Sequence, residues 1–240
     1  MSQKEAFFEH VRALRKVLVV SVAAVGVLFV LFFYLLCNPL VDFVLAPVRE
    51  RGIDVIATAV SEALMIQLKV CLVAAVVAGM PVIIQQIWSF IAPALYPHEK
   101  RLFAGLFLTA LVLFAAGVTF CYLYVFPLAI NLFWAASDTV APAMWSVREY
   151  FDFVLSFVLP FGVMFELPVV IFMMARRGMV NYAKLAKARK FVLLAIAVVA
   201  AVLTPPDVVS QCMLGLPMYL LYEIATQLAR FVKPAKAEEM

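Results

Sequence analysis

The sequence predicts an all-α integral membrane protein of six transmembrane helices, with both chain ends in the cytoplasm. Three observations support this fold class. Apolar residues (A, V, I, L, M, F, W, Y and C) make up 67% of the 240 residues, whereas they are roughly half of a soluble domain. Charged residues account for 14%, against about a quarter in soluble domains. The apolar residues also form runs near the roughly 20 residues that a helix needs to cross a bilayer.

We interpret residues 1–240 as one polytopic membrane domain, because the apolar runs follow one another with few residues between them. The fifth run is the shortest, since its apolar part, 191–203, has 13 residues and reaches only about 20 Å as a helix. Either the preceding lysines extend to the membrane surface or the bilayer thins there. The predicted spans are 17–37, 63–90, 102–132, 150–175, 188–203 and 208–232.

Lysine and arginine are unequally shared between the two sets of alternating loops. Fifteen of the 19 lie on the side of the two chain ends and three on the other, while Lys69 falls within the second run. Cytoplasmic loops carry an excess of these residues, so both termini are predicted to be cytoplasmic. The net charge of +4 is explained by these topology anchors, and no nucleic-acid partner is expected. No cleavable signal peptide is expected either, because the run 17–37 is too long for one.

Four predicted spans carry an internal proline, and the fourth span also contains Pro160. Proline removes a backbone donor and clashes with the preceding turn, so each helix is expected to bend there. Several bent helices predict a cupped, concave bundle, although chance enrichment of proline in spans is an equal alternative. The four recurring prolines are Pro81, Pro127, Pro168 and Pro217.

Glu166 lies in the interior of the fourth apolar run. A charge at mid-bilayer costs about 2.5–3.5 kcal/mol on insertion scales, so such residues usually face the protein interior or water and have a function. Three roles are open: a protonated carboxyl that donates a hydrogen bond to a partner helix, a proton relay, or a structural hydrogen bond to a neighbouring helix.

Glu99 lies in a short, charge-rich loop on the predicted cytoplasmic side. Lys100 and Arg101 are explained as topology anchors, but acids contribute little to orientation. A carboxylate at this position is a natural receptor for a guanidinium, which it can bind through two hydrogen bonds. The alternative is a local ion pair with Lys100 or Arg101.

The Thr-Pro-Pro-Asp segment at 204–207 must turn the chain between the last two spans. The prolines stop either helix from continuing, and Asp207 is well placed to cap the N-terminus of the sixth span. Gln211 follows four residues later on the same helical face. Its amide is predicted to bond across a helix interface.

The sequence does not favour an enzyme or a cofactor. It contains no H-E-x-x-H motif, nucleophile–base pair or glycine-rich phosphate loop, and its four cysteines show no C-x-x-C pairing. Two further function classes are a proton-coupled small-solute transporter that uses Glu166 and a structural membrane scaffold. A transporter of this kind is expected to show inverted repeats with paired broken helices, and no convincing two-fold self-similarity is present.

Several motifs together resemble the TatC family, the core subunit of the twin-arginine protein translocase. They occur in the order and spacing of that family and cover nearly the whole chain. The stretches are 87–99 (IWSFIAPALYPHE), 161–168 (FGVMFELP), 203–208 (LTPPDV) and, more loosely, 10–15 (HVRALR).

This resemblance implies a function in protein transport. Members of the family recognise twin-arginine signal peptides of folded cargo at the cytoplasmic face of the bacterial inner membrane. They assemble with small single-span subunits of the TatA and TatB type and with further copies of themselves, and the proton-motive force drives transport. By position, the resemblance implies signal-peptide binding at Glu99, Phe90 and Arg15. It implies complex organisation or partner docking at Pro47, Glu166, Asp207 and Gln211.

The chain departs from the family pattern at Ala13, where the family usually carries a second glutamate. Two carboxylates for two guanidiniums is a sensible arrangement, so this loss needs an explanation. Glu9 precedes Ala13 by four residues and would share its helical face. We therefore predict that Glu9 replaces the missing carboxylate; the alternatives are a relaxed signal preference or reliance on Glu99 alone.

Overall fold

The structure, a computed structural model, describes residues 3–91, 100–137, 144–204 and 207–232 and is dominated by helices. A π-helical turn, Cys121–Val125, joins α4 to α5, and two short strands cover Asp54–Ile56 (β1) and Met144–Ser146 (β2). The helices are α1 Gln3–Leu35, α2 Cys37–Arg49, α3 Glu62–Ile91, α4 Lys100–Phe120, α5 Phe126–Ser137, α6 Val147–Met164, α7 Leu167–Arg176, α8 Tyr182–Leu203 and α9 Val208–Leu228.

Five helical stretches in the described part of the chain are long and apolar enough to cross a membrane. The first is the most apolar, with a mean hydropathy of 2.8, and its most apolar window contains no buried residue. An apolar helix this exposed suits a lipid environment, since soluble proteins avoid exposed apolar surfaces of this size. The five stretches are Arg12–Leu35, Glu62–Ser89, Ala104–Ala135, Val147–Arg176 and Val208–Leu228.

Helix α8, which contains the predicted fifth span 188–203, does not belong to these five stretches. It has 22 residues, but its first turns carry Lys184, Lys187, Arg189 and Lys190. Because of these cations, the apolar part of α8 is shorter than the five membrane-spanning stretches, as the sequence predicts for the fifth span. A sixth crossing at α8, and therefore the exact count of six spans, stays a prediction.

The described residues form two compact units. The first covers Met1–Leu111 and Ser146–Phe151, and its main contact is the packing of α1 along α3. The helices approach closely at Gly79, where an added Cβ would lie 3.2 Å from Cγ2 of Val25. A missing side chain allows this close approach, as is common between membrane helices.

The second unit covers Val112–Trp145 and Asp152–Met240. Its core contains fully buried aromatic side chains, including Phe126, Phe157 and Phe161. Helix α9 packs against both α7 and α8, and the Tyr222 hydroxyl donates to the Leu185 carbonyl oxygen at 2.8 Å.

A glycine turn separates α7 from α8 within this unit. Gly178 has a φ of 70°, a left-handed conformation that glycine adopts without steric cost. The N–H of Met179 bonds to the Met174 carbonyl, and the N–H of Gly178 bonds to that of Ala175. This pair of bonds is a Schellman motif, which satisfies the last carbonyls of α7.

The internal prolines affect their helices in different ways. The fourth predicted span is interrupted between α6 and α7, just before Pro168. The π-helical turn Cys121–Val125 immediately precedes the segment that holds Pro127. By contrast, α3 and α9 run uninterrupted through Pro81 and Pro217. A helix irregularity therefore accompanies two of the four recurring prolines, Pro127 and Pro168. The concave shape of the bundle stays a prediction.

Candidate functional site

Glu166 lies at the interruption between α6 and α7. It precedes the first residue of α7 and adopts φ −76° and ψ −16°, and its side chain makes no capping hydrogen bond. Its N–H bonds to the Val163 carbonyl and its own carbonyl accepts from Val169 and Val170. Pro168 at the start of α7 is well tolerated, because the first turn of a helix has no intrahelical acceptors for its N–H groups.

The Glu166 carboxyl group is partly enclosed in the second unit. Its Oε1 atom is buried and has no hydrogen-bond partner among the described residues. A carboxyl oxygen without a partner in a membrane-spanning segment is energetically costly. For this oxygen the described helices offer no structural hydrogen bond.

Asp207 caps the N-terminus of α9, as the sequence predicts. The residue is extended, with φ −128° and ψ 141°, and its Oδ1 accepts a hydrogen bond of 2.6 Å from the N–H of Ser210. The carboxylate accepts a hydrogen bond from one of the free N–H groups of the first turn, and its negative charge interacts favourably with the positive end of the helix dipole. The capping prediction is confirmed.

Replacing Asp207 with alanine is expected to lower the free energy of unfolding by about 1 kcal/mol, because the cap is lost. Chemical denaturation in detergent micelles measures this change. Asp207→Asn is the matched control, since asparagine also caps helices well. Equal stability of the alanine and asparagine variants would contradict the assigned cap.

Gln211 bonds across a helix interface, also as predicted. Its Nε2 donates to the carbonyl oxygen of Ala197 in α8 at 3.0 Å. Thr204 ends α8 on the same side by bonding its hydroxyl to the Ala200 carbonyl at 2.8 Å. The Thr204 bond therefore closes the end of α8, and the Gln211 bond joins α9 to α8.

Pro47 is buried near the end of α2 in the first unit. Nη1 of Arg51 donates to the Pro47 carbonyl oxygen at 2.6 Å, and the Tyr150 hydroxyl donates to the Val44 carbonyl oxygen at 2.7 Å. Gly52, with a φ of 67°, then reverses the chain. These bonds satisfy carbonyl groups at the helix end and fix the segment around Pro47.

The residues predicted to bind a signal peptide are only partly described. Glu99 lies outside the described residues. Glu9, Arg15 and Phe90 lie on helices, the first two on α1 and the third on α3, and the Arg15 side chain is exposed. Helix α1 is uninterrupted from Gln3 to Leu35, and the replacement of the missing carboxylate by Glu9 stays a prediction. The structure brings Asp207 and Gln211 together on α9; the other predicted site residues are not joined by any described contact.

The sequence reasoning missed one ion pair that joins α8 to α9. Arg189 donates from Nε to Oε2 of Glu223 at 2.9 Å. The available signal was Glu223 itself, an acid inside the sixth predicted span, because intramembrane acids usually pair with cations.

A model of the family described as Sec-independent protein translocase protein (TatC) matches residues 9–217 of this chain. TatC of Carboxydothermus hydrogenoformans is 36% identical over 228 residues, which cover 95% of this chain and 93% of that protein. TatC of Escherichia coli K12 is 37% identical over 225 residues, covering 92% of this chain and 87% of that protein.

Solved structures give the same result for the fold. A crystal structure of the twin-arginine translocase receptor TatC superimposes with a TM-score of 0.86 at 34% identity. The match covers 92% of this chain and 97% of that structure, so it includes the described helices of both units. The predicted class, an all-helical membrane protein, is confirmed. The chain belongs to the TatC family of multi-pass membrane proteins and is a component of the Sec-independent protein translocase, a transport subunit.

Proposed function

We propose that this protein is the receptor that binds twin-arginine signal peptides of folded cargo at the cytoplasmic face. The observation that carries the proposal is the match, over 92% of the chain, to structures described as the twin-arginine translocase receptor. Transport is then driven by the proton-motive force, as the family resemblance implies, and the transporter and scaffold alternatives are not needed.

The proposed topology has six spans with both termini in the cytoplasm, in the inner membrane of a bacterium. The asymmetry of 15 cations against three supports this orientation, because it follows the positive-inside rule. Helix α8 supplies the sixth crossing, since its first turns carry lysines whose long side chains reach the membrane surface from within a span. This topology puts the prefix with Glu9 and the loop with Glu99 on one face.

The proposed signal-peptide site contains Glu99, Glu9, Phe90 and Arg15. Two carboxylates match the two guanidiniums of a twin-arginine motif, and each pair gains from charge-assisted hydrogen bonds. The aromatic residue Phe90 is proposed as an apolar contact for the peptide. Arg15 is exposed on α1. In the proposed site its guanidinium orients the two carboxylates or binds carbonyl groups of the signal peptide.

Glu9→Gln is expected to reduce export of a folded twin-arginine cargo about tenfold, because loss of a charge-assisted hydrogen bond costs about 1.5–3 kcal/mol. The measurement is the exported fraction of a folded reporter. Ala13→Glu in the same background is expected to restore export, since it returns a carboxylate to the same helical face. Unchanged export by Glu9→Gln would contradict the replacement and leave a relaxed signal preference or reliance on Glu99 alone.

The proposed docking region for a single-span partner of the TatA or TatB type lies on α9. An apolar groove of about 430 Å³ runs beside this helix and is lined almost entirely by apolar atoms. Gln211 and Asp207 lie at the same end of α9, and Gln211 can exchange its bond to Ala197 for one to a partner helix. Glu166 and Pro47 are the other proposed organising positions. The groove is lined by residues of the α4–α5 segment and of α9: Phe120, Tyr124, Val125, Leu128, Val208, Val209, Cys212, Met213, Leu216 and Pro217.

A complementation experiment tests the proposed function. The gene is expressed in a bacterium that lacks its own TatC, together with matching small subunits, and a folded fluorescent reporter carries a twin-arginine signal. Export of this reporter is the expected result, and a reporter with a twin-lysine signal should remain in the cytoplasm. Retention of both reporters, with normal protein levels and assembled subunits, would contradict the proposal.

A further inference from the structure

A cluster of polar side chains connects the start of α8 with the end of α9. Tyr182 is the first residue of α8, and its ring is close to two guanidinium groups. Cζ of Arg230 lies over the ring at 4.0 Å from the centroid, and Cζ of Arg189 lies at 5.9 Å. The two arginines are used differently, and this difference points to a binding site.

Arg189 is satisfied inside the protein. Its Nε donates to Oε2 of Glu223 at 2.9 Å and its Nη2 donates to Oε1 at 2.5 Å. Gln227 also donates to Oε1 of Glu223, at 2.7 Å. The bidentate pair therefore fixes α8 to α9 and leaves the Glu223 carboxylate committed to Arg189.

Arg230 has no comparable partner. It lies just after α9 and is exposed. Its charge attracts the Glu223 carboxylate, but its side chain donates no hydrogen bond to any described residue, and its guanidinium lies over the Tyr182 ring. Cation–π attraction holds the guanidinium over the ring. Up to five N–H donors therefore remain available for an external acceptor.

The surroundings of Arg230 are positive and apolar. The end of α7, the start of α8 and the end of α9 pack together through Ala175, Leu185 and Ala229, which gathers the cations of all three helices. Next to Arg230, the Phe231 side chain is 82% exposed. The described stretches 167–203 and 207–232 contain two acidic residues, Asp207 and Glu223. Asp207 lies at the opposite end of α9, so Glu223 is the acidic residue of these stretches that lies near Arg230. The cations are Arg176, Arg177, Lys184, Lys187, Arg189, Lys190 and Arg230.

We propose that Arg230, held over the Tyr182 ring, binds the phosphate headgroup of an acidic membrane phospholipid whose acyl chains lie beside Phe231. Planar guanidinium donors match phosphate oxygens, and the excess of cations favours a lipid with a net negative charge. A lipid explains the exposed apolar side chain next to the cation, and a soluble phosphate does not. Binding here would stabilise the junction of α8 and α9.

Native mass spectrometry of the purified protein, titrated with phosphatidylglycerol, tests this site. Arg230→Gln is expected to weaken the apparent affinity about fivefold, the effect of one cation near an anionic membrane surface. Tyr182→Leu is expected to weaken it as well, although it leaves every charge in place. Tyr182→Phe keeps the ring and should bind like the wild type.

Arg49→Gln is the matched control, because Arg49 is another exposed arginine but pairs with Asp42 at 2.7 Å; its phosphatidylglycerol affinity should be unchanged. Phosphatidylcholine binding should be equal in all variants. Wild-type affinity of Arg230→Gln would overturn the proposal. So would an equal loss in Arg49→Gln, or displacement of the lipid by an equal concentration of inorganic phosphate. If Tyr182→Leu lowers the melting temperature, its loss of affinity could come from unfolding, and the lipid affinity of Arg230→Gln is then the result that tests the proposal.

Discussion

Replacing Glu99 with glutamine is expected to reduce export of a folded twin-arginine cargo by tenfold to a hundredfold. Glutamine keeps the size of the side chain but removes the charge, so a bidentate pair with a guanidinium is lost. Hydrogen bonds to charged groups contribute about 1.5–3 kcal/mol, which corresponds to this range. The exported fraction of a fluorescent reporter measures the effect.

Lys100 and Arg101 supply the control for the Glu99 result. If the carboxylate served only a local ion pair, Lys100→Gln and Arg101→Gln would reduce export as strongly as Glu99→Gln. We expect each of these two variants to export nearly as well as the wild type, because the remaining cations preserve the topology. Equal losses in all three variants would assign Glu99 to the local pair.

Replacing Gly117 with alanine is expected to destabilise the second unit by about 1–3 kcal/mol, the usual cost of overpacking. An added Cβ would lie 2.7 Å from the carbonyl oxygen of Phe161 and 2.8 Å from Cγ of Phe165. The first contact is with backbone, which cannot move aside cheaply, and it lies on α6 just before the interruption at Glu166. The fraction of monodisperse protein after heating in detergent measures the loss.

Gly105 provides a matched control in the same helix. No atom of the described residues lies within 4 Å of a Cβ added there, and alanine is a better helix former than glycine by about 1 kcal/mol. Gly105→Ala is therefore expected to be at least as stable as the wild type. A Gly117→Ala protein with unchanged thermal stability would contradict the close approach of α4 to α6.

Features that depend on neighbouring residues were predictable from the sequence. The cap by Asp207 follows from a carboxylate placed three residues before an N–H that it can reach. A bend of the fourth span was expected at Pro168, whereas the structure has a break in the helix at Phe165 and Glu166, before the proline. The bond from Gln211 to Ala197 was predicted as a type of contact, but its acceptor was not, because backbone acceptors leave no mark in the sequence.

Features that depend on distant residues were not predictable in the same way. Arg189 and Glu223 are 34 positions apart, and only the packing of α8 on α9 brings them together.

The uninterrupted course of α3 and α9 shows that neither Pro81 nor Pro217 ends its helix, since membrane helices tolerate the lost bond. The proposed signal-peptide residues depended on family motifs, because composition and spacing show only the membrane class.

Photo-crosslinking beside Glu99 is the most direct measurement of signal-peptide recognition. A photoreactive residue replaces His98, so the Glu99 carboxylate is retained, and membranes are incubated with a labelled twin-arginine signal peptide. The expected result is an adduct that disappears when the two arginines are changed to lysines, together with no adduct from the same probe at Arg49, which lies on the opposite side in the proposed topology. An adduct of equal yield with the twin-lysine peptide, or none with the twin-arginine peptide, would contradict recognition at Glu99.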